Sequence, residues 1–84
     1  MLNNVQFLAR LIDSNPGITS TAARRALCEF KGKEFKRGQY TWYFTTAEAS
    51  RCWGYGFSAG ADYGYWEKRN GGWHLTPKGR TKLV

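Results

Sequence analysis

Apolar residues in the first third of the chain follow a helical period. Within residues 3–13 they recur at spacings of i, i+3, i+4 and i+7, namely at Val5, Leu8, Ala9 and Ile12. This spacing places them on one face and predicts an amphipathic helix over 3–13, capped by Asn3 or Asn4. Pro16-Gly17 follows, and this pair predicts a turn.

A second helix is predicted over residues 20–30. Thr19-Ser20-Thr21 offers N-cap residues directly before a helix-forming stretch. The helical period assigns five residues to its apolar side: Ala22, Ala23, Ala26, Leu27 and Phe30. It places Arg24, Arg25 and Cys28 on or beside the other side.

The middle of the chain is less regular. Residues 31–39 are polar and basic and predict a loop, whereas the aromatic run of residues 40–44 predicts a short strand or an extended lead into a helix. Thr45 and Glu48 have the spacing of a capping box, which predicts a third helix over about 46–59. Three glycines at 54, 56 and 60 lower the stability of that helix.

The strongest local signal is a β-hairpin near the C-terminus. Two aromatic strands, at 65–68 and 73–76, flank a turn at 69–72 that contains Asn70-Gly71. Pro77 ends the second strand, and residues 77–84 are expected to form a short helix or a basic tail. The whole chain, 1–84, is therefore expected to be one α+β domain with three helices and a two-stranded hairpin.

Length and composition exclude several classes of protein. Of the 84 residues, 42% are apolar and 17% are aromatic, which is too many for a disordered chain. A chain of this length builds one small core and leaves few residues to form a deep catalytic cleft. We therefore expect no enzyme, no catalytic residue and no cofactor. No apolar run approaches the length that crosses a membrane, and the N-terminus lacks the pattern of a signal peptide.

The cysteines and the histidine indicate no metal site. Cys28, Cys52 and His74 are three candidate ligands, whereas a structural zinc site normally needs four. Two reduced thiols are typical of a cytoplasmic protein, so this location is expected. His74 has no neighbouring carboxylate or nucleophile in the sequence pattern and is assigned a structural role.

Net charge points to a polyanionic partner. The formal net charge is +7 on 84 residues. The first 30 residues contribute a net +1, whereas residues 31–60 and 61–84 each contribute +3. Such an excess is typical of proteins that bind nucleic acids.

The order of elements and the C-terminal motif resemble a winged helix-turn-helix domain. The stretch GYWEKRNGGWHLTPKGR, residues 64–80, is similar to the wing of the small N-terminal domain of Mrr-type restriction endonucleases. In that family a glycine and an apolar pair end the third helix, then a Glu and a basic turn follow. Gly64, Tyr65-Trp66, Glu67 and Lys68-Arg69 fit this order.

The rest of the motif continues the resemblance. The family's Trp-x-Leu-Thr strand is matched by Trp73-His74-Leu75-Thr76, and Gly79-Arg80 follows it. The first helix and residues 16–20 fit in position, whereas residues 31–63 fit only in length. The resemblance implies a winged-helix fold with its wing at 64–76 and its recognition helix at about 46–59. The similarity covers no nuclease domain.

A winged-helix domain is expected to bind duplex DNA, here as a small transcriptional regulator associated with the nucleoid, as a monomer or a homodimer. Arg51 and Tyr55 would face the bases in the major groove. Phosphate or minor-groove contacts are expected from the remaining candidates, which are Arg24, Arg25, Lys36, Arg37, Lys68, Arg69, Asn70 and Arg80. Lys31 and Lys33 belong to the same basic region.

The aromatic residues leave an alternative open. Eleven of the 14 lie between Tyr40 and Trp73, which is more than a small core can hold. If Tyr40, Trp42, Tyr43 and Tyr63 are exposed together, they predict a protein interface. The chain would then inhibit or modulate a complex such as a polymerase or a regulator. Small basic domains of this kind are also common among viral and mobile-element proteins. Aromatic residues interleaved with Lys and Arg would favour nucleic acid instead.

Overall fold

Among the described residues, helical elements precede and follow one small sheet. The computed structural model describes residues 2–44, 61 and 63–83. In these ranges the fold is α+β, with three α-helices, one 3-10 helix and a two-stranded antiparallel sheet. The elements are α1 (Asn4–Ser14), α2 (Ser20–Lys31), the 3-10 helix (Thr41–Phe44), β1 (Trp66–Arg69), β2 (Gly72–Leu75) and α3 (Pro77–Arg80).

Helix α1 follows the sequence pattern closely. Asn3 caps it: the Asn3 side chain accepts from the Gln6 backbone N–H at 2.8 Å, and the Gln6 side chain accepts from the Asn3 N–H at 3.0 Å. This reciprocal pair satisfies donors that a helix N-terminus otherwise leaves unbonded. Leu8, Ala9 and Ile12 are fully buried, which confirms the predicted apolar face.

The buried stripe of helix α2 is shifted from the one that its sequence predicts. Thr19 caps it by accepting from the Ala22 N–H at 3.1 Å. Ala23 and Leu27 are buried as predicted, but Cys28 is also buried, so its assignment to the polar side is wrong. The reason is that α2 packs against both α1 and the 3-10 helix, so two of its sides are covered.

Two residues assigned to the apolar side of α2 are exposed instead. Ala22 lies in the first turn and is exposed. Phe30 lies in the last turn, where it stacks on Phe7 with ring centroids 4.3 Å apart and leaves its other face to solvent. The ends of α2 therefore extend past the core that its centre helps to build.

Residues 40–44 do not form the predicted strand. Tyr40 has a positive φ of 62°, and the chain then turns into the 3-10 helix. Successive tight turns support this path, since the Gln39 N–H donates to the Lys36 carbonyl at 3.0 Å and the Tyr43 N–H donates to the Tyr40 carbonyl at 3.3 Å. The tight turns bring Tyr40 and Tyr43 into the core, which an extended strand with alternating faces would not do.

The hairpin forms where its sequence predicts it, with a tighter turn. Arg69 pairs with Gly72, so only Asn70 and Gly71 form the turn. Each strand is therefore shifted by one residue towards the turn from its predicted position. Asn70 and Gly71 both have positive φ, at 51° and 81°, as a type I′ turn requires. The Asn-Gly pair accommodates this geometry at low steric cost.

A backbone bridge joins the hairpin to the connection between α1 and α2. The Gly17 N–H donates to the Trp73 carbonyl, and the Trp73 N–H donates to the Ile18 carbonyl, both at 2.9 Å. Gly72 lies so close to the Gly17 backbone that a Cβ on Gly72 would overlap the Gly17 carbonyl. The close approach therefore depends on the absence of a side chain at Gly72, whereas Gly17 contributes a positive φ of 87°, which glycine adopts without strain.

The hairpin supplies the two tryptophans at the centre of the core. Trp66 and Trp73 are 1% and 4% exposed, and the Phe44 ring packs against both. The Trp66 indole N–H donates to the Tyr43 carbonyl at 2.8 Å, which satisfies a buried donor and fixes the 3-10 helix against β1. Both tryptophans thus belong to the hydrophobic core.

The segment after the hairpin is helical. Thr76 caps α3 by accepting from the Gly79 N–H at 3.0 Å, and Pro77 occupies the first turn, where its missing N–H has no cost. Gly79 is buried against the Tyr65 carbonyl, where no side chain would fit. Of the two outcomes expected for residues 77–84, the short helix is therefore found.

The bridge is tested by Gly72→Ala. The added methyl group meets backbone atoms of Gly17, which cannot rotate away as a side chain can. We expect the free energy of unfolding in urea to fall by about 3 kcal/mol. Gly32→Ala is the control, because Gly32 has positive φ but open space, so strain alone costs about 1 kcal/mol. Equal losses in the two variants would contradict the close approach.

The buried indole is tested by Trp66→Phe. The change removes the hydrogen bond to Tyr43 and leaves a small cavity, while the Tyr43 carbonyl keeps its bond from the Ala61 N–H at 3.0 Å. A loss of about 2 kcal/mol in the free energy of unfolding is expected. Tyr43→Phe, which removes only the partly buried bond from Asn4, should lose about 1 kcal/mol. A reversed order of the two losses would refute this account of the core.

Candidate nucleic-acid interface

Two arginines of α2 are stacked on an aromatic ring of the basic loop. The guanidinium carbons of Arg24 and Arg25 lie 5.5 and 4.7 Å from the centroid of Phe35. One Arg24 N–H group also donates to the Gln39 carbonyl at 3.2 Å. We call Arg24, Arg25, Phe35, Lys36 and Arg37 the Phe35 cluster.

The stacking affects what these arginines can bind. A guanidinium that lies over a ring can still bind a phosphate through the N–H groups at its edge. Neither arginine forms an ion pair in the described ranges. Lys36 and Arg37 are exposed beside them in the loop. The Phe35 cluster thus contains four of the residues predicted to contact phosphate. Three of them are exposed, and Arg24 is half-buried.

The hairpin tip carries the next group of predicted residues. Lys68, Arg69 and Asn70 are all exposed. Arg69 Nε lies 3.2 Å from Glu67 Oε1, and both side chains are more than half exposed. Neighbouring residues of a strand face opposite sides of the sheet, so the Lys68 side chain lies on the other face of the hairpin from this ion pair. Lys68 is therefore the tip cation without an ion-pair partner among the described residues.

Arg80 has a partner that its sequence position did not predict. Its Nη1 lies 3.2 Å from Asp13 Oδ1, which joins α3 to the last turns of α1. Both side chains are substantially exposed, so the pair contributes little to stability. Its main consequence is that an aspartate partly neutralises Arg80.

A second group of cations on an aromatic ring was not predicted. The ammonium nitrogens of Lys78 and Lys82 lie 5.6 and 5.0 Å from the centroid of Tyr65. Tyr63 meets Tyr65 edge to face, with centroids 5.8 Å apart. We call Tyr63, Tyr65, Lys78 and Lys82 the Tyr65 cluster. The one signal in the sequence is the four-residue spacing of the lysines, which indicates a shared face only once α3 and the turn after it, which carries Lys82, are known.

The expected aromatic protein interface is largely absent from the described ranges. Tyr40 and Tyr43 are 5% and 9% exposed, so their assignment to an exposed surface is wrong: they complete the core beside Trp66. Trp42 is half-buried and packs on both tyrosines. Tyr63 is the exposed member of the four, at 48%.

Some predicted positions lie outside the described residues. These are the recognition helix at about 46–59, with Arg51 and Tyr55, and Cys52. Within the described ranges no group of three or more His, Cys, Asp or Glu side chains is placed to hold a metal ion. The same ranges contain no helix that is long and apolar enough to cross a membrane.

Comparison with known proteins adds no relative. No protein-family model, curated protein or solved structure matches this chain. Any function must therefore be argued from the surface chemistry described above.

The Phe35 cluster is tested by Phe35→Leu. The change keeps an apolar side chain against the core but removes the ring face under two guanidiniums. We expect the free energy of unfolding to fall by about 1 kcal/mol. The Nε–Hε groups of both arginines should also become more mobile in NMR relaxation. Phe30→Leu, a control elsewhere on the surface, should leave that mobility unchanged, and equal effects of the two changes would argue against the stacking.

Proposed function

We propose that this chain is a non-catalytic winged-helix protein that binds duplex DNA. The observation that carries the proposal is the Phe35 cluster, in which two arginines lie over a ring and have no carboxylate partner among the described residues. Arg25 is exposed, whereas Arg24 is half-buried. Together with the hairpin tip, this cluster would contact phosphates on either side of a groove. Such contacts fix the position of a protein on the duplex without reading its sequence.

The described elements support the winged-helix part of the proposal. A short connection joins α1 and α2, and a hairpin with a basic tip lies against that connection through the Gly17–Trp73 bridge. The hairpin would act as the wing. Reading of base edges by Arg51 and Tyr55, from a helix at about 46–59, stays a prediction from the sequence.

The surroundings of the cations favour nucleic acid over a protein partner. A protein interface would need several aromatic residues exposed together, away from basic residues. Instead Tyr40 and Tyr43 are buried, whereas Phe35 and Tyr65 are each covered by two cations. Aromatic rings interleaved with Lys and Arg are typical of surfaces that bind polyanions. Regulation of transcription at the nucleoid is the process in which such a protein would act.

Binding to a short blunt-ended duplex of random sequence tests this proposal. Fluorescence anisotropy at salt concentrations from about 50 to about 200 mM gives the slope of log K against log salt. A steep negative slope is expected, with about −0.9 for each phosphate neutralised. Absence of binding at the lowest salt would reject the proposal and would direct the search to a protein partner.

Three variants separate the contributions of the surface. Lys68→Gln and Arg25→Gln should each weaken binding to all sequences alike and make the slope less steep by about 1. Glu67→Gln should strengthen binding, because it releases Arg69 from its ion pair. It is the matched control, since it raises the net charge of the same hairpin, whereas Lys68→Gln lowers it. Unchanged slopes for both cation variants would remove the Phe35 cluster and the hairpin tip from the interface.

A further inference from the structure

A cleft of about 550 Å³ lies apart from the Phe35 cluster and the hairpin tip. Its walls come from the first turn of α1, the end of α2, the 3-10 helix, and the segments before β1 and after α3. This volume falls within the range of sites that hold small ligands. The duplex contacts proposed above use none of its lining residues.

An exposed tyrosine and two lysines define the chemistry of the cleft. Tyr63 is 48% exposed, and its edge-to-face contact with Tyr65 orients its ring. Lys31 and Lys82 also line the cleft, and Lys82 is held over the Tyr65 ring at 5.0 Å. No carboxylate lines the cleft in the described part of the chain. An aromatic ring beside uncompensated ammonium groups suits a flat ligand that carries negative charge.

Hydrogen-bond donors also line the cleft. The capping box uses the side-chain oxygens of Asn3 and Gln6 as acceptors, so the amide NH₂ groups of both side chains remain as donors. The Tyr43 hydroxyl accepts from the Asn4 amide at 3.0 Å and keeps its own hydrogen to donate. These donors fit the carbonyl oxygens of a pyrimidine base.

We infer that the cleft binds one unpaired nucleotide of single-stranded DNA. The base stacks on Tyr63 and accepts from the donors of the α1 turn, while Lys31 and Lys82 hold its phosphate. Stacking on an aromatic ring needs an open base face, so a base within a duplex is not a ligand. The inference goes beyond duplex binding, because it gives the protein a separate site for a single strand.

Binding of a short oligothymidylate, measured by fluorescence anisotropy, tests the inference. Tyr63→Ala should weaken binding about tenfold, whereas Tyr63→Phe should retain it, because the ring and not the hydroxyl carries the stacking. Tyr63→Leu should also lose affinity while keeping an apolar side chain. It serves as the second variant if the alanine variant unfolds. Circular dichroism and thermal unfolding confirm that each variant is folded.

A matched pair of lysines tests the phosphate contact. Lys82→Gln should weaken oligothymidylate binding several-fold, whereas Lys78→Gln should have a smaller effect. Both lysines contact Tyr65, but only Lys82 is among the described residues that line the cleft. Equal losses for the two variants would show a general charge effect and overturn the assignment of Lys82.

A blunt-ended duplex measured in parallel keeps the two proposals separate. Tyr63→Ala should leave duplex affinity unchanged, since Tyr63 belongs to neither the Phe35 cluster nor the hairpin tip. If the wild-type protein binds oligothymidylate but does not bind the duplex, only the proposed function is refuted. Oligothymidylate binding that Tyr63→Ala leaves unchanged would overturn this inference, as would equal binding of an acidic peptide.

Discussion

The bridge between Trp73 and the Gly17–Ile18 connection is the constraint on which the rest of the fold depends. Two hydrogen bonds of 2.9 Å hold β2 beside the start of α2, and the absence of a side chain at Gly72 allows the backbones to approach. An isolated hairpin is only marginally stable in water. The bridge gives this hairpin a third backbone partner and brings both of its tryptophans under the helices.

Core packing then decides which chemistry remains at the surface. Trp66, Trp73, Tyr40 and Tyr43 fill the interior, and the 3-10 helix brings the tyrosines in. A chain this small has little apolar volume to spare, so most of its described aromatic residues are used for stability. Phe35 and Tyr65, nearer the surface, are covered by cations. The described surface is therefore basic, and these rings orient charge more than they offer apolar contact area.

Local signals in the sequence predicted the local structure well. The Asn3 capping box, the apolar face of α1 and the Asn70-Gly71 turn each depend on residues within a few positions, and all three form. The hairpin tip and the loop cations were likewise predicted to be exposed. For these elements, the relevant interactions lie within the segment that encodes them.

The predictions that failed depend on contacts distant in sequence. Residues 40–44 have strand-forming side chains, but packing against α2 and Trp66 favours a 3-10 helix. Cys28 is buried because a second element covers α2, which the period of one helix cannot show. The Tyr65 cluster was missed for the same reason, because its lysines reach the ring only when α3 folds back beside the hairpin.

The central claim is that the helix arginines and the hairpin tip act as one surface for duplex DNA. NMR chemical-shift mapping with a blunt-ended duplex tests it most directly. The account predicts simultaneous shifts at the Arg24 and Arg25 side chains, at residues 35–37 and at residues 68–71, with little change in α1. Shifts confined to α1 and α3, or to only one of the two basic groups, would contradict it.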